Sequence, residues 1–304
     1  MSFQTVISFL LSLPDCPVVA GAVLVALGVD LAFGEPRARW HPVVWMGRYM
    51  NLVGPYMAPK VASTVASTVA EKVVIKASRP LNEFLRGCLG WSLGALLVLV
   101  AAALANGFVL QGDWLRQQPW LQMLLLGVLL KPMLAWRMLR DEVRAVEAAL
   151  ADSLPAGRER LAWLVSRDVS TLDAAQVRES AIETLAENLN DSVVAPLFWF
   201  AVAGLPGAAL YRFANTADAM WGYRGERQGR DWTWAGKWAA RADDVLSWVP
   251  ARITAALLAA LVAARRCGAL PAQARRTPSP NSGWPMAAMA LALDVRLGKP
   301  GVYE

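Results

Sequence analysis

The chain has 304 residues, of which 56% are hydrophobic and 14 are tryptophan, and its formal net charge is +6. This composition is too apolar for an ordinary soluble domain and favours the membrane class, while the positive charge suits contact with anionic lipid or phosphorylated ligands. Nucleic acid is disfavoured as a partner, because the arginines are spread through apolar sequence and form no basic patch. With one histidine and three widely separated cysteines, the chain predicts no disulfide framework, zinc site or histidine-based triad.

The pattern predicts an all-α, polytopic integral membrane protein, a single domain over 1–304 with four or five transmembrane helices. A spanning helix needs about 20 apolar residues. Five stretches approach this length, near 18–33, 89–110, 120–139, 193–210 and 246–264. The fourth contains two prolines and two glycines, which predict a broken or re-entrant segment. A sixth apolar stretch, 284–297, is short and predicts an interfacial or packed helix.

Basic residues predict which segments face the cytoplasm. The segment 111–119 holds one arginine, whereas 34–88 and 140–192 carry several close to the membrane, so the positive-inside rule places 111–119 and the N-terminus outside. If 193–210 crossed the membrane fully, the arginine-rich segment 211–245 would lie outside, against the positive-inside rule. The side of the membrane on which each segment after residue 192 lies therefore stays open. We expect four polar functional loops on the cytoplasmic side of the inner membrane, at 34–48, 140–192, 211–245 and 275–285.

The most informative segment is 183–191, with the sequence Glu-Thr-Leu-Ala-Glu-Asn-Leu-Asn-Asp, directly before the fourth apolar stretch. On a helix, Glu183, Glu187 and Asp191 share one face, where each like-charged pair repels by a few tenths of a kcal/mol (about 0.2–0.5). A bound cation would offset this repulsion, and oxygen ligands suit Mg²⁺. A solvated acidic face is the alternative.

Five further segments set polar residues between prolines, glycines and tryptophans. They are 34–48 (Gly-Glu-Pro-Arg-Ala-Arg-Trp-His-Pro-Val-Val-Trp-Met-Gly-Arg), 164–168 (Leu-Val-Ser-Arg-Asp), 211–223 (Tyr-Arg-Phe-Ala-Asn-Thr-Ala-Asp-Ala-Met-Trp-Gly-Tyr), 240–252 (Ala-Arg-Ala-Asp-Asp, then Trp-Val-Pro-Ala-Arg) and 278–285 (Pro-Ser-Pro-Asn-Ser-Gly-Trp-Pro). Together with 183–191, and in this order from about residue 30 to residue 303, they resemble the CobD/CbiB family of cobalamin biosynthesis. The resemblance is loose only at 57–80, which includes a tandem Val-Ala-Ser-Thr repeat at 61–68.

The resemblance implies an amide ligase in the cell membrane. A propionate carboxylate of adenosylcobyric acid is expected to join the amine of 1-aminopropan-2-ol, or of its O-phosphate, giving adenosylcobinamide or its phosphate. ATP as co-substrate and Mg²⁺ are expected to drive the reaction, through an acyl phosphate. The corrinoid is then a substrate, and membrane lipid and other late cobalamin-pathway enzymes are the expected partners. The resemblance leaves open which amine is used.

Such a reaction needs metal-binding acids and a base, and the sequence offers several. Besides Glu183, Glu187 and Asp191, the adjacent Asp243 and Asp244 are candidates, although neighbours on a helix point about 100° apart, so we expect one of them to face a site. Structural pairing with Arg241 is the alternative. Asn215 and Asp218 are three residues apart and share a helix face, and they are candidates for binding substrate or phosphate.

The reaction also needs groups that bind phosphate. Four arginines are candidates, because a guanidinium can bind two oxygens at once: Arg212, Arg224, Arg241 and Arg252. Ser279 and Asn281 belong either to a capped turn or to a loop that binds phosphate or a corrin amide. His41 is interpreted as structural. No P-loop is present, because Gly229 and Gly236 are separated by six residues and Trp follows Lys237, so spacing does not locate the nucleotide.

Two other functions remain possible from the sequence. One is a sensory membrane protein like the AmpE relatives of this family. The paired acids and the Ser-Pro-Asn loop argue against it, because a sensor does not need so many converging polar side chains. The other is a transporter, suggested by broken helices with polar residues inside them. Against transport, the charged residues cluster at the ends of the apolar stretches, and no inverted repeat is visible.

Overall fold

The structure is a computed structural model that describes residues 12–61, 80–165, 167–261 and 268–298. The described part is mainly helical with almost no strand, which confirms the all-α prediction. The helices are α1 (Cys16–Phe33), α2 (Pro42–Met57), α3 (Pro80–Gln111), α4 (Pro119–Leu130), α5 (Trp136–Asp152), α6 (Leu154–Leu161), α7 (Ala174–Leu189), α8 (Ala195–Trp221), α9 (Lys237–Ala259), α10 (Leu270–Ala274) and α11 (Gly283–Leu293). The repeat at 61–68 and residues 299–304 fall, apart from Val61, outside the described residues.

Strands β1 (Glu226–Arg227) and β2 (Arg230–Asp231) form a small antiparallel hairpin between α8 and α9. The two-residue turn between them has positive φ at both positions, 53° at Gln228 and 70° at Gly229. This combination defines a type I′ turn, whose twist matches that of paired strands.

Four helical stretches are long and apolar enough to cross a membrane. They are Cys16–Phe33, Pro80–Gln111, Pro119–Asp152 and Ala174–Trp221. Each contains one of the first four predicted spans, so the membrane-helix prediction is confirmed at four. The predicted fifth span, 246–264, is not among these stretches: α9 begins earlier, at polar Lys237, and ends at Ala259, and residues 262–264 lie outside the described residues. The 140–192 region, predicted as a polar loop, is mainly helical and contains most of α5 and all of α6 and α7.

The fourth stretch is broken, as its proline and glycine content predicted. Ala203 (φ −139°, ψ 20°) and Gly204 (φ 62°, ψ −157°) leave the helical conformation inside α8. The buried Asn106 of α3 lies beside the break: its Oδ1 accepts from the Leu205 backbone N–H at 3.4 Å, and its Nδ2 donates to the Ser12 carbonyl at 2.8 Å. A polar side chain inside the bundle thus replaces part of the lost helical hydrogen bonding.

Helices approach one another closely at glycines. A Cβ on Gly87 of α3 would lie 2.0 Å from the carbonyl oxygen of Ala235, just before α9, and one on Gly94 would lie 2.4 Å from the Phe213 ring of α8. Small residues at such points allow close packing of membrane helices. The α11 helix, predicted to be interfacial or packed, is packed: Met286 and Ala288 are buried in one apolar cluster with residues of α7, α9 and α10.

Gly87→Ala is expected to lower the thermal stability of the protein in detergent. Alanine is favoured over glycine in a helix by about 0.5–1 kcal/mol, but overpacking against backbone costs about 1–3 kcal/mol, so the clash with Ala235 should dominate. Gly28→Ala in α1 is the matched control, because no atom lies within 4 Å of the position that a Cβ would take there. An unfolding temperature of Gly87→Ala at or above that of Gly28→Ala would contradict the packing argument.

A candidate active site lined with carboxylates

A cavity of about 380 Å³ opens where α7, α8, α9 and the 277–285 segment meet. Six carboxylates line it: Glu183, Glu187, Asp191, Asp218, Asp243 and Asp244. Arg224 is the one basic residue on this wall among the described residues. We call this space the acidic cavity. Its excess of carboxylates makes it a site for cations rather than for bare anions.

Asp191 is held at the cavity wall by a distortion of its helix. A π-helical turn, Asn190–Val194, separates α7 from α8, and such turns recur at functional sites. The Asp191 carboxylate accepts hydrogen bonds from Asn190 Nδ2 (2.7 Å), Asn215 Nδ2 (3.2 Å) and the Tyr211 hydroxyl (3.3 Å). These three donors fix the position and orientation of the carboxylate at the cavity wall.

Asp243 differs from Asp191 because one of its oxygens is left without a donor. Its Oδ1 is buried and has no hydrogen-bond partner among the described residues. Burial, with the nearby charges of Asp191 and Asp218, raises the pKa of Asp243 well above its ordinary value. Burial also raises the pKa of Asp244, against the opposing influence of Arg224. A buried carboxylate that faces a cavity and has one oxygen without a donor is suited to bind a cation or to accept a proton from a ligand.

The loop 278–285 closes one side of the acidic cavity. Asn281 donates from Nδ2 to the Asp244 carbonyl at 2.7 Å and accepts at Oδ1 from Arg252 at 2.7 Å. Ser279 Oγ accepts from the backbone N–H groups of Asn281 and Ser282, both at 3.2 Å. Ser279 therefore caps the turn before α11, and both it and Asn281 line the cavity.

The remaining predicted residues lie behind the wall or away from it. Arg212 donates to the Asp191 carbonyl and to Ser192 Oγ, each at 3.1 Å, and Asn215 supports Asp191. Arg252 donates to the Pro280 carbonyl at 3.0 Å and packs on two tryptophan rings. Arg241 is exposed and does not line the cavity. Of the four candidate arginines, the structure thus brings only Arg224 to the wall.

The structure adds two things that sequence spacing did not predict. Both Asp243 and Asp244 line the cavity, although one was expected, because the cavity wraps around the first turns of α9. Asn190, Ser247 and Thr277 are further polar residues of the wall. In the sequence, Asn190 could have been identified as a site residue only from its position within the 183–191 segment.

A Mg²⁺ ion fits the chemistry of this wall, since all the acidic side chains offer oxygen. In the described residues, no group of three Asp, Glu, His or Cys side chains is arranged to hold one ion. In proteins, Mg²⁺ is usually held by one or two carboxylates, with water and substrate phosphate at the other positions. The metal role of Glu183, Glu187 and Asp191 stays a prediction.

A second cluster of charges lies outside the acidic cavity, at the end of α1. The Lys131 ammonium is 3.1 Å from Asp30 Oδ1 and 3.0 Å from Glu35 Oε1. His41 contacts Glu35 through Nε2 at 2.9 Å and accepts the Val43 backbone N–H at Nδ1, which caps α2. Burial opposes ionisation of Glu35, but hydrogen bonds from His41 and Lys131 outweigh it and lower its pKa. These contacts support a structural role for His41.

The free energy of unfolding, measured without Mg²⁺, is expected to fall as pH rises above about 4, the ordinary pKa of aspartate. Between that value and the raised pKa of folded Asp243, the folded state binds more protons than the unfolded state, so a rise in pH favours unfolding. Asp243→Asn should reduce this slope, as measured by chemical unfolding in detergent across pH 4 to about 8. The lowered pKa of Glu35 changes stability with pH in the opposite direction. Because Glu35 is present in both the wild-type protein and Asp243→Asn, its contribution cancels when the two slopes are compared. Equal slopes for the two proteins would contradict the assignment.

Comparison with known proteins shows the family to which the chain belongs. A family model described as CobD/Cbib protein matches residues 23–304. A probable cobalamin biosynthesis protein CobD of Methanothermobacter thermautotrophicus is 39% identical over 289 residues, covering 92% of this chain and 84% of the relative. The cobalamin biosynthesis proteins CobD of Chromobacterium violaceum (40% identical; 92% of this chain, 81% of the relative) and Rhodobacter capsulatus (36%; 93% and 83%) are also similar. No solved structure matches. The chain belongs to the CobD/CbiB family of cobalamin biosynthesis proteins.

Proposed function

We propose that this protein is a membrane-embedded ligase that joins a propionate carboxylate of adenosylcobyric acid to 1-aminopropan-2-ol or its O-phosphate, using ATP and Mg²⁺. The observation that carries the proposal is the acidic cavity, where six carboxylates and Arg224 surround one space. An ammonium ion, a carboxylate under activation and a phosphate with its cation can all be accommodated by this combination of charges. The family membership supplies the corrinoid pathway.

The chemistry requires an activated carboxylate. In the first proposed step, the substrate carboxylate attacks the terminal phosphorus of ATP, giving an acyl phosphate and ADP. The amine then attacks the acyl carbon, the new C–N bond forms, and phosphate leaves with the electrons of the broken C–O bond. The amine enters as an ammonium ion, so a base must remove a proton before it attacks. Asp243, with its unpaired buried oxygen, is the residue we assign to this step.

The other residues position the reactants. Asp191, fixed by three hydrogen bonds, with Glu187 nearby on the wall, would hold Mg²⁺, which supplies charge neutralisation for the phosphate oxygens. Arg224 offers a guanidinium to the phosphate. Asn281 and Ser279 present amide and hydroxyl groups at the same wall. Each role uses a group already facing the cavity.

The size of the cavity limits what enters it. At about 380 Å³ it is near the lower end of small-molecule sites, which span about 300–1,000 Å³. A corrinoid is much larger than the ligands of such sites. We therefore propose that only the propionate arm enters, and that the ring stays at the mouth. We further propose the inner membrane as the location, with the mouth on the cytoplasmic side, where ATP is available.

A reconstitution assay tests the proposal. The purified protein in detergent or liposomes is incubated with adenosylcobyric acid, ATP, Mg²⁺ and either amine, and the corrinoid mass is followed. The mass of the matching amide, dependent on ATP, is expected and would identify the amine. If folded protein that binds corrinoid yields neither amide, the ligase proposal fails, and the sensory or transport alternatives gain ground.

A further inference from the structure

A second cavity, of about 410 Å³, adjoins the acidic cavity. Thr277 and Met286 line both cavities and form the boundary between them. The second cavity is built by the end of α10, by α11 and by residues 294–297. It plays no part in the reaction steps assigned above, and its size is typical of small-molecule sites.

The two cavities have opposite charge. The acidic cavity has six carboxylates and one arginine, whereas the second has two arginines, Arg276 and Arg296, and one carboxylate, Asp294. Arg296 also lies in electrostatic range of Glu179 on α7. The second cavity is therefore the part of this region where an anion is favoured. A ligand that carries several phosphates would be repelled by the acidic cavity, so its phosphates would bind beside the two arginines of the second cavity.

One wall of the second cavity is apolar and is formed by a single helix, α11. Met286, Ala287, Ala290 and Leu291 lie at positions i, i+1, i+4 and i+5 of α11 and so form one continuous stripe. Two of these are alanines, which leave room above the helix. Gln273 of α10 adds an amide at the edge. An apolar wall with a few convergent polar groups is the usual composition of a pocket for an aromatic ligand.

The boundary between the cavities is held by a close helix contact. A Cβ on Gly283, the first residue of α11, would lie 2.1 Å from the Ala274 carbonyl oxygen and 2.3 Å from Thr277 Oγ1. The absence of a side chain there lets α10 and α11 touch and fixes Thr277 between the cavities. Thr277 Oγ1 donates to the Ala274 carbonyl at 3.3 Å or to the Ser279 carbonyl at 3.1 Å.

We infer that the second cavity is the nucleotide site: the purine lies on the apolar stripe of α11, Arg276 and Arg296 bind the phosphates, and the terminal phosphate passes Thr277 into the acidic cavity. This inference rests on the proposed ATP-dependent ligation and specifies where ATP binds. It also explains how a site dominated by carboxylates receives a triphosphate, because the charge is shared between the arginines on one side and a cation on the other.

The test is nucleotide binding by the full-length protein in detergent, independent of ligation. Trinitrophenyl-ATP fluorescence is titrated, and ATP, adenosine, inorganic phosphate and 1-aminopropan-2-ol O-phosphate are used as competitors. Arg276→Gln and Arg296→Gln should each weaken ATP binding about tenfold or more, the effect of losing a charged hydrogen bond. Ala290→Phe should block binding by filling the space above the stripe. Arg275→Gln is the matched control, because Arg275 is exposed and does not line the cavity.

Three outcomes would overturn the inference. If the wild-type protein binds ATP and the Arg276, Arg296 and Ala290 variants, shown by circular dichroism to be folded, bind it equally well, the nucleotide lies elsewhere and the ligase proposal stands. If 1-aminopropan-2-ol O-phosphate displaces the probe better than ATP does, the cavity takes the phosphorylated amine instead. If the folded wild-type protein binds no nucleotide and forms amide without ATP, both the inference and the ATP dependence fail.

Discussion

Asp243→Asn is expected to abolish most amide formation while leaving the protein folded. Loss of a positioned general base typically lowers the rate about 10²–10⁴-fold. Among the carboxylates that line the acidic cavity, Asp243 is the one with a buried oxygen, Oδ1, that has no donor among the described residues. Asparagine has nearly the same shape but cannot accept the proton of the ammonium ion. The measurement is the initial rate of ATP-dependent amide formation, with the unfolding temperature recorded on the same preparation.

The unfolding temperature separates catalysis from structure. Asp243 lies near the charges of Asp191, Asp218 and Asp244, all of which raise its pKa along with burial, so removing its charge should leave stability unchanged or raise it in the absence of Mg²⁺. Asp152→Asn, at the exposed end of α5, is the matched control and should retain full activity. An Asp243→Asn protein that is folded and active to within a few-fold would remove Asp243 from the reaction. A less stable and inactive protein would indicate a structural role instead.

The sequence predicted the membrane helices well because their signal is local. An apolar stretch of the required length is visible without knowledge of its neighbours, and the break in α8 followed from glycine and proline placed within such a stretch. The prediction of helices from sequence was weakest where polar residues form contacts between helices. The 140–192 region is mainly helical, yet its charged surface made it resemble a loop. Arg160 pairs with Glu142, and Arg178 with Glu147, between different helices.

Placement of the site depended on contacts between segments that are distant along the chain. Glu183 and Asp191 were found through their spacing on one helix, but the approach of Asp243 and of the 278–285 loop to them is set by tertiary packing. The same packing explains why only one of the four candidate arginines lines the acidic cavity. All four candidates have the chemistry for phosphate, but only the position of Arg224 just after the end of α8 brings it to the wall, while Arg252 is engaged by Asn281.

Lys131→Met is expected to destabilise the protein by about 3–5 kcal/mol, the usual cost of removing one partner from a buried ion pair. The Lys131 side chain is 5% exposed and that of Asp30 is fully buried, so without Lys131 two carboxylates would remain close together with little solvent. The backbone N–H of Arg137 still donates to Asp30 Oδ2 at 2.7 Å, but one neutral donor does not replace an ammonium ion. The measurement is the unfolding midpoint in detergent.

A matched ion pair at the surface isolates the effect of burial. Arg178 and Glu147 are also 3.1 Å apart, but more than half of each side chain is exposed, so Arg178→Met should change the midpoint far less than Lys131→Met. A larger effect of Arg178→Met would contradict the account based on burial.

The double variant Asp30→Asn, Lys131→Met tests whether the cluster is structural alone. With both charges removed, much of the lost stability should return, because an uncompensated buried charge is no longer present. Glu35 then retains His41 as its partner and still lies in electrostatic range of Arg212, which holds the backbone of Asp191. Restored stability with normal ligation would assign the cluster to folding. Restored stability with poor ligation would mean that charge at the end of α1 acts on the acidic cavity through Arg212.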